Sequence, residues 1–361
     1  MPAHGCLSCL GVLRLLHLLP HAGGGGERHL DILAGLPDTA QRRMFVSSSR
    51  SAARALVGLP RRRVQIGRAA GNADVVHAHG DMASVLMCGV LRGHPSLWTT
   101  HGMSFLRRTD GARHDLFARR LRAVIAATQV TVCTTAAERD ELLATVAAEY
   151  ADRLRVVPNG IAPSPPVTAA RREETRRALA LTPGTTVGLF AGRLDEDKGV
   201  RDAIAATVEA RSSGADLTLL VAGDGPLEDE LRATGADGVR LLGYRDDVDE
   251  LLGAADVFVL PSRREGSSYA VIEALGAGLA VVVCDGRGNP ETVGDAGLVV
   301  PCGDVHALAD ALGELAGDAS RRRALGATAR ARAEGDLGEE RFLAEMDAIY
   351  REVSETASGS R

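Results

Sequence analysis

The sequence predicts an α/β fold with two doubly wound parallel-sheet domains. Short runs of β-branched residues and leucine alternate with longer, Ala-rich amphipathic segments, and this rhythm occurs twice along the chain. The runs are continuously apolar, which is typical of strands buried on both faces of a parallel sheet. Short connections that contain glycine favour two Rossmann-like domains, and we expect ligands in a cleft between the carboxyl ends of their strands.

Six strands are expected in each half of the chain, with helices between them. The first-half strands are predicted at Val12–Leu19, Met44–Ser47, Asp74–His79, Leu97–His101, Val130–Thr134 and Leu154–Val157. The first-half helices are predicted at Glu27–Leu36, Met82–Leu91, Arg113–Ala127 and Ala136–Ala148. The second-half strands are predicted at Thr186–Ala191, Leu217–Ala222, Val239–Leu242, Val257–Leu260, Leu279–Cys284 and Leu298–Val300.

A proline cluster in residues 159–174 (NGIAPSPPVTAARREE) breaks regular structure and indicates a linker between the halves. We therefore expect a first domain over residues 1–162 and a second domain over residues 163–337. The segment 338–361 is expected to be a helix with a flexible tail, SETASGSR.

The composition excludes several classes of protein. The chain has 361 residues, of which 45% are hydrophobic and 25% charged, as in ordinary globular proteins. A formal net charge of −5 and a pI near 6.1 argue against a general nucleic-acid binder. No apolar run reaches the roughly 20 residues of a membrane span, and the first residues lack the basic region and cleavage site of a signal peptide. A cytoplasmic protein is therefore expected.

Six cysteines are spread thinly over the chain, which predicts reduced thiols and no disulfide framework. Cys6 and Cys9 form a single C-x-x-C pair with no second pair downstream, so a zinc site is not expected there. The other cysteines are Cys88, Cys133, Cys284 and Cys302.

The strongest candidate site lies in the second half, around the chain's only lysine. A strand runs into Gly192 and Arg193, and Lys198 follows just before the next helix. Two cations and free backbone N–H groups near a helix N-terminus are suited to a diphosphate. The alternative is a solvated charged loop. The acidic run 195–197 is interpreted as surface charge beside the two cations, and no metal site is expected there.

A second motif, SRREGSSYAVIEALGAG, holds two carboxylates separated by seven residues. Glu265 lies at the loop mouth, where it could meet sugar hydroxyls, and Glu273 lies among apolar residues of the following helix, where a ribose diol could pair with it. The small residues between them let backbone N–H groups approach a phosphate. The alternative is an ion pair from Glu273 to an arginine such as Arg193, with Glu265 merely exposed. The intervening candidates are Gly266, Ser267, Ser268 and Tyr269.

Two loops of the second half and one of the first are weaker candidates. A nucleotide base could lie against the turn that contains Gly225 or against the loop at Tyr244, although each is only a turn by itself. In the first half, Gly24, Gly25 and Gly26 follow the first strand. Their spacing differs from a dinucleotide-binding fingerprint, but they permit close backbone approach to a ligand.

Histidines stand at the ends of first-half strands. For His77 a satisfied structural histidine is the favoured interpretation, whereas His101, followed by glycine, is better placed to contact a ligand. We expect neither a Ser-His-Asp set nor a metal-ligand cluster.

The combined motifs resemble the family-4 retaining glycosyltransferases, whose fold is GT-B. The segments GRLDEDKG, VAGDGPLEDEL, LLGYRDDVDELLGAADVFVLPS, EGSSYAVIEALGAGLAVVV and GNPETVGDAGLVVPCGD cover almost all of residues 186–316 in the family's order. The first half agrees more loosely, through LLHLLPHAGGGGERHL, DVVHAHG, TTHG and VVPNGI. The resemblance implies that the second domain binds a nucleotide sugar, that the first binds the acceptor and that the last helix returns to the first domain.

The resemblance also implies roles for individual residues. Arg193 and Lys198 would hold the diphosphate and stabilise it as leaving group, and Glu273 would bind the ribose. Glu265 would bind hydroxyls of the donor sugar, and His101 would lie near the transferred sugar. The implied catalytic set is therefore His101, Arg193, Lys198 and Glu265. The other implied donor-binding residues are Gly24, Gly25, Gly26, Gly192, Gly225, Tyr244, Gly266, Ser267, Ser268, Tyr269 and Glu273.

On this interpretation no cofactor and no divalent metal are needed, since cations and a helix N-terminus would stabilise the charge that builds on the departing phosphate. The expected partners are a nucleotide sugar, most often a UDP- or GDP-sugar, and a small-molecule or lipid-linked acceptor, with peripheral membrane contact through arginine-rich segments. The acceptor would belong to the cell envelope or to secondary metabolism.

Two alternatives and two departures from the family stay open at this point. The chain could instead be a non-catalytic subunit that only binds the nucleotide sugar, or a nucleotide-sugar epimerase that needs no acceptor. The family usually has proline after the helix glycine, where this chain has Leu279. The span Leu36–Asp74 is short and arginine-rich, so the first domain looks trimmed.

Overall fold

The computed structural model describes residues 12–21, 25–47, 58–103, 106, 109–146, 148–162 and 164–358. They form two compact units. Unit 1 contains the chain up to Thr134, then Glu138–Val157 and the segment from Leu343; unit 2 contains Thr135–Ala137 and Pro158–Phe342. Each unit carries one six-stranded parallel sheet with helices between the strands, which confirms the predicted fold class.

The sheet of unit 1 has the strand order β2-β1-β3-β4-β5-β6. The order reverses between β1 and β3, and such a switch point is where doubly wound sheets bind ligands. The strands are β1 (Leu13–Leu19), β2 (Thr39–Phe45), β3 (Val75–His79), β4 (Ser96–Thr99), β5 (Val130–Cys133) and β6 (Leu154–Val156). The helices are α1 (Gly25–Leu33), α2 (Leu59–Ala70), α3 (Asp81–Arg92), α4 (Gly111–Ala127) and α5 (Ala136–Thr145), followed by a 3₁₀ segment, Ala148–Arg153.

The core of unit 1 is completed from far along the chain. Trp98 on β4 is fully buried and donates its indole N–H to the carbonyl of Gly80 at 3.2 Å. Tyr350 and Val353, from the last helix, are also fully buried. The segment after Phe342 therefore belongs to the hydrophobic core of the unit that the chain begins.

The sheet of unit 2 has the order β12-β11-β10-β7-β8-β9, with its switch point between β7 and β10. Its strands are β7 (Thr186–Ala191), β8 (Leu217–Ala222), β9 (Val239–Gly243), β10 (Val257–Leu260), β11 (Ala280–Cys284) and β12 (Gly297–Val300). The helices are α6 (Ala169–Ala178), α7 (Val200–Ser212), α8 (Glu228–Thr234), α9 (Val248–Ala254), α10 (Tyr269–Gly276), α11 (Asn289–Val293), α12 (Val305–Gly317) and α13 (Ala319–Glu334). The last helix, α14 (Glu339–Ser358), begins in unit 2 and continues in unit 1. Among the described residues, no helix is both long and apolar enough to cross a membrane.

Several expectations are corrected by the structure. Strand β2 begins five residues before its predicted start, because an edge strand tolerates the polar sequence Gln41–Arg43 that hid it. Helix α6 occupies the end of the predicted linker, since Thr168 accepts a hydrogen bond from the Arg171 N–H and starts the helix. The expected flexible tail is helical up to Ser358.

The expectation of reduced thiols is wrong for one pair. Cys284, at the end of β11, and Cys302, just after β12, form a disulfide with a Cα–Cα distance of 4.9 Å. The two strands are parallel neighbours that pair Cys284 with Val300, so the thiols meet although they lie 18 positions apart in sequence. Cys88 and Cys133 are free, and Cys6 and Cys9 lie outside the described residues.

Candidate functional site

In unit 2 the two predicted motifs meet at the switch point of the sheet. Lys198 lies in the loop after β7 and Glu265 in the loop after β10, and the Lys198 ammonium is 2.5 Å from the Glu265 carboxylate. The carboxylate side chain is only 10% exposed, so the alternative in which Glu265 is merely a surface residue is wrong. The switch point therefore carries a partly buried, oppositely charged pair.

Hydrogen bonds hold these two loops together. Residues Glu196–Lys198 form a short 3₁₀ turn that Asp195 caps by accepting from the Lys198 N–H. The carbonyl of Asp197 in this turn accepts from the Arg263 N–H at 2.9 Å and from the Ser262 hydroxyl at 3.0 Å. These bonds fix the backbone of both loops, and the Lys198 ammonium is held by its ion pair with Glu265.

Glycine is required where helix α7 leaves this turn. Gly199 has a φ of +69°, and a Cβ there would lie 2.2 Å from the carbonyl oxygen of Pro261. Only a residue without a side chain allows the two loops to approach so closely. The glycine after Lys198 therefore has a structural role in the site.

Arg193 extends from the same loop but is placed differently. Its guanidinium lies 3.5 Å from Asp195, and its side chain is 54% exposed. A cation so weakly held can turn toward an anion that arrives from solvent. The structure thus provides one fixed cation, Lys198, and one exposed cation, Arg193.

The segment Gly266–Ser268 leads into α10, as the sequence predicts. Ser267 and Ser268 are both buried, and Ser268 is the residue before the first helical turn, which begins at Tyr269. The backbone N–H groups of a first helical turn have no partner within the helix, and the helix dipole favours an anion there. This loop therefore combines small residues with a helix N-terminus, the two features on which the predicted phosphate contact depends.

Glu273 lies one turn further along α10 and is half-buried. It lines a cavity of about 360 Å³ whose other walls include Val167, Asp256 and Leu279. Asp256 and Leu279 lie at the amino ends of β10 and β11, and neither Lys198 nor Glu265 lines this cavity. Arg193 forms its ion pair with Asp195, not with Glu273 as the alternative proposed.

The remaining candidates of unit 2 lie on the loops that follow β7, β8 and β9. Gly223 has a φ of +144°, and a Cβ there would lie 1.9 Å from the carbonyl oxygen of Gly192. Similarly, a Cβ on Gly225 would lie 2.4 Å from the carbonyl oxygen of Leu194. The two glycine loops therefore pack backbone against backbone, whereas the Tyr244 side chain is 74% exposed.

In unit 1 five histidines converge at the switch point. His17 lies on β1, His77 and His79 on β3, His29 on α1, and His101 in the loop after β4. Four of them are at most 1% exposed. His77 contacts the Tyr350 hydroxyl and the Thr99 hydroxyl, each at 2.7 Å, which confirms its structural interpretation.

Burial favours the neutral form of four of these imidazoles. Desolvation, together with the charge of Arg43, lowers the pKa of His17 to about 3. Desolvation also lowers the pKa of His101 to about 4, and it lowers the pKa values of His77 and His79 well below the ordinary value. A neutral imidazole has one donor and one acceptor nitrogen, so each ring offers a lone pair.

The backbone around His101 is held in the left-handed region. His101, Gly102 and Met103 have φ values of 51°, 90° and 45°. The buried carboxylate of Glu138 on α5 fixes this turn, since it accepts from the Gly102 N–H and from the Thr100 hydroxyl. Glu138 was not predicted from the sequence, where it is one acidic residue of an amphipathic helix.

The Gly-rich loop of unit 1 is only partly described. Gly24 lies outside the described residues, whereas Gly25 and Gly26 open helix α1. A Cβ on Gly26 would be 3.5 Å from Leu19, an ordinary contact. A side chain at position 26 would therefore find enough space.

Two groups of the clustered histidines have the spacing of a metal-ligand set, a convergence that was not expected from the sequence. Ring nitrogens of His17, His77 and His79 lie within 4.8 Å of one another, as do those of His29, His79 and His101. The sequence could not reveal these sets, since their members come from two strands, a helix and a loop. Most of these nitrogens already face a hydrogen-bonding partner within unit 1.

Two family models match the chain. The model described as glycosyl transferases group 1 matches residues 185–318, and the model described as glycosyltransferase family 4 matches residues 23–164. The first match lies in unit 2 and contains the loops after β7 and β10. The second contains all five clustered histidines except His17.

Curated relatives include transferases that act on very different acceptors. A GDP-mannose-dependent monoacylated α-(1-6)-phosphatidylinositol monomannoside mannosyltransferase of Corynebacterium glutamicum is 36% identical over 47% of this chain and 48% of its own. A 2-deoxystreptamine N-acetyl-D-glucosaminyltransferase of Streptomyces fradiae is 31% identical over 69% of this chain and 64% of its own. The alignment thus spans about half of the first relative and just under two thirds of the second.

Solved structures agree with the fold. The Anabaena HepE complex with UDP and glucose has a TM-score of 0.80 at 16% identity, covering 94% of this chain and all of that one. The sucrose-phosphate synthase of Thermosynechococcus elongatus has a TM-score of 0.80 at 19% identity, covering 95% and 100%. At these identities the likeness extends to the fold alone.

Proposed function

This chain belongs to the glycosyl transferases of group 1 and family 4, and we propose that it is a retaining glycosyltransferase of the hexosyltransferase type. It transfers a sugar from a nucleotide-diphosphate sugar to an acceptor of the cell envelope or of secondary metabolism. The observation that supports this proposal best is the Lys198–Glu265 pair at the switch point of unit 2.

The charges of unit 2 suit a diphosphate leaving group. Lys198 and Arg193 supply two cations, and the first turn of α10 after Ser268 supplies backbone N–H groups. When the bond from the anomeric carbon to the phosphate oxygen breaks, its electron pair leaves with the phosphate. Groups that bind this growing charge stabilise the transition state more than the ground state, and they do so without a metal ion.

The acceptor step completes the reaction. An acceptor hydroxyl forms the new bond to the anomeric carbon on the face that the phosphate leaves, and its proton passes to the departing phosphate. Glu265 binds donor-sugar hydroxyls, Glu273 binds the ribose, and His101 in unit 1 contacts the transferred sugar. No covalent sugar–enzyme intermediate is invoked.

The donor and the acceptor are proposed from the relatives. A GDP-mannose-dependent relative and a fold neighbour in complex with UDP favour a UDP- or GDP-hexose. One relative is named for a phosphatidylinositol mannoside and another for 2-deoxystreptamine, which supports envelope and natural-product acceptors alike. We propose that the enzyme acts in the cytoplasm, with peripheral membrane contact through the arginine-rich segments 61–63 and 107–122.

Release of nucleoside diphosphate tests the proposal. UDP-, GDP-, ADP- and dTDP-sugars are incubated with the enzyme, with and without crude acceptor extracts, and with EDTA in a parallel series. We expect one donor to be consumed, with EDTA without effect and with loss of turnover in Lys198→Ala and Glu273→Ala. Arg177→Ala is the control, since Arg177 is exposed on α6, does not line the Glu273 cavity and lies outside the motifs.

The anomeric configuration of the isolated product, read by NMR, tests retention. Inversion would overturn the retaining mechanism. Thermal stabilisation by a diphosphate without turnover of any donor would favour the binding-subunit alternative, and turnover that needs no acceptor would favour an epimerase.

A further inference from the structure

Three histidines of unit 1 form one continuous chain. Nδ1 of His17 lies 3.0 Å from Nε2 of His79, and Nδ1 of His79 lies 3.1 Å from Nε2 of His101. Both distances are those of N–H···N hydrogen bonds. His79 is the middle ring, and both of its nitrogens take part.

Such a chain has only two states when every ring is neutral. A neutral imidazole carries one N–H, so if His79 donates through Nε2 it must accept through Nδ1, and the reverse also holds. All hydrogen bonds of the chain therefore point the same way. Either all three rings carry the proton on Nε2, or all three carry it on Nδ1.

The surroundings of His17, the buried end of the histidine chain, decide between these two states. Gln41 on β2 donates its amide nitrogen to the carbonyl of Leu33 at 2.6 Å and to the hydroxyl of Thr39 at 3.1 Å. A carbonyl oxygen can only accept, so the amide cannot be flipped without placing two oxygens together. The orientation of the Gln41 side chain is thus fixed, with Oε1 as its remaining polar atom.

Oε1 of Gln41 and Nε2 of His17 are complementary only in one state. Both atoms are buried and make no hydrogen bond at close range with another described residue, and Gln41 is the side chain that acts on His17 by hydrogen bonding. A proton on Nε2 of His17 gives Oε1 a donor. A proton on Nδ1 would instead leave two buried acceptors facing each other, which is unfavourable because neither atom then has a donor.

The surroundings of the chain do not compete for these protons. His77 is engaged by Tyr350 and Thr99, and His29 meets the His101 ring edge-on at a centroid distance of 4.6 Å. The charged group that acts on the inner end is Arg43, which disfavours a positive charge on His17. Neutral rings are therefore favoured along the whole chain.

We propose that Gln41, acting through His17 and His79, holds His101 as the neutral Nε2–H tautomer and leaves its Nδ1 as a hydrogen-bond acceptor. Nδ1 of His101 meets no hydrogen-bond partner among the described residues. This assignment of the ligand rests on the proposed transferase function: Nδ1 of His101 binds a sugar hydroxyl, which can donate a hydrogen bond, and not an ionised phosphate oxygen, which cannot. Gln41, His17 and His79 are positioning residues.

The tautomers can be read directly by long-range ¹H–¹⁵N NMR on protein labelled at histidine, near pH 7 and without ligand. We expect His17, His79 and His101 all to carry the proton on Nε2. His94 is the internal reference, because its Nδ1 lies 2.8 Å from the Val90 carbonyl and must be the donor. A proton on Nδ1 of His101, or an even mixture of its tautomers, would overturn the proposal whatever the enzyme's activity.

Two variants then test the part that Gln41 plays. Gln41→Met removes the acceptor with little change of volume, and we expect the Nδ1–H tautomer to appear at His17, His79 and His101 together. Tyr350→Phe removes the partner of His77 and leaves the chain intact, so it should change none of the three. Unchanged tautomers in Gln41→Met would remove Gln41 from the proposal; if that variant does not fold, His17→Phe interrupts the same connection.

The ligand assignment has a separate test. The donor identified by nucleotide release is compared with its single-hydroxyl deoxy analogues, in the wild type and in His101→Phe. With the wild type, we expect kcat/KM for one deoxy analogue to be at least tenfold lower than for the donor. With His101→Phe, kcat/KM for that analogue and for the donor should be similar. Equal losses in both proteins would overturn the hydroxyl contact but leave the tautomer result unaffected. If the protein turns over no donor at all, the proposed transferase function is wrong, whereas the tautomer proposal is still decided by NMR.

Discussion

The Lys198 ammonium lies 2.5 Å from the Glu265 carboxylate, and the two side chains are 28% and 10% exposed. This pair joins the loops that diverge on either side of the switch point between β7 and β10. Each member is a candidate ligand of the donor, and each also compensates the other's charge. Stability and activity can therefore be separated by changing one member or both.

Lys198→Met should abolish transfer and also destabilise unit 2, because it leaves a nearly buried carboxylate without its cation. We expect kcat/KM to fall by about 10²–10³-fold and the free energy of unfolding by about 1–3 kcal/mol. The double variant Lys198→Met with Glu265→Leu should regain most of the stability and none of the activity. Steady-state kinetics and calorimetry check this, with the exposed Arg177→Met as control; full activity in Lys198→Met would contradict it.

Gly223→Ala should disturb the candidate donor site indirectly, by displacing the backbone next to it. Its Cβ would lie 1.9 Å from the Gly192 carbonyl oxygen at a φ of +144°, so the backbone before Arg193 must move. We expect a loss of about 2 kcal/mol or more and a raised KM for the donor. Gly313→Ala, within α12 and with no atom near its Cβ, should instead stabilise by about 0.5–1 kcal/mol. Equal effects of the two variants on KM would contradict this interpretation.

Acid should destabilise unit 1 before its carboxylates titrate. The unfolded chain binds protons at histidine near pH 6.5, whereas folding holds the pKa of His101 near 4 and that of His17 near 3. The unfolded state therefore binds more protons between these values, and stability falls as the pH drops from 6.5 toward 4. Each such ring lowers the free energy of unfolding by up to about 1.4 kcal/mol for every pH unit in this range.

Fluorescence of Trp98 measures this loss selectively. It is the chain's only tryptophan, and it lies in the core of unit 1. Urea midpoints followed at this residue should decrease between pH 7 and pH 5, with the same decrease in the control His114→Gln. A midpoint independent of pH would show that the cluster does not stay neutral in the folded protein.

Glu138→Ala should destabilise unit 1 through the turn at His101. The carboxylate is fully buried and accepts from Gly102, from Thr100 and from both the N–H and the hydroxyl of Thr134, so its removal leaves buried donors without an acceptor. We expect a loss of roughly 3 kcal/mol and a lower kcat. Asp140→Ala, exposed on the same helix, should cost less than about 0.5 kcal/mol. Unfolding followed at Trp98 compares the two, and similar losses would contradict the assigned role.

The parts of the fold that the sequence predicted best are the strands buried on both faces. The bounds of β7, β8 and β10 agree with prediction to the residue, since continuous apolar runs between glycine loops leave little choice. The edge strand β2 was misplaced, because one partner strand and solvent on the other side permit a polar sequence.

The candidate site divides in the same way. Lys198 was found because a single lysine in a phosphate-type loop is a local signal. Its pairing with Glu265 joins loops 67 positions apart, and only the strand order of the sheet brings them together. The histidine cluster and Glu138 escaped prediction for that reason: each residue looks ordinary in its own segment, and the chemistry arises from their convergence.

The return of helix α14 to unit 1 determines the order in which the two units can fold during translation. Tyr350 and Val353 complete a core whose strands are made before any residue of α6–α13. On the ribosome the first unit must therefore wait, with part of its apolar surface uncovered, until all of unit 2 has been translated, although N-terminal domains generally fold first. The nascent chain is thus expected to depend on chaperones, and the second unit to reach its native state ahead of the first.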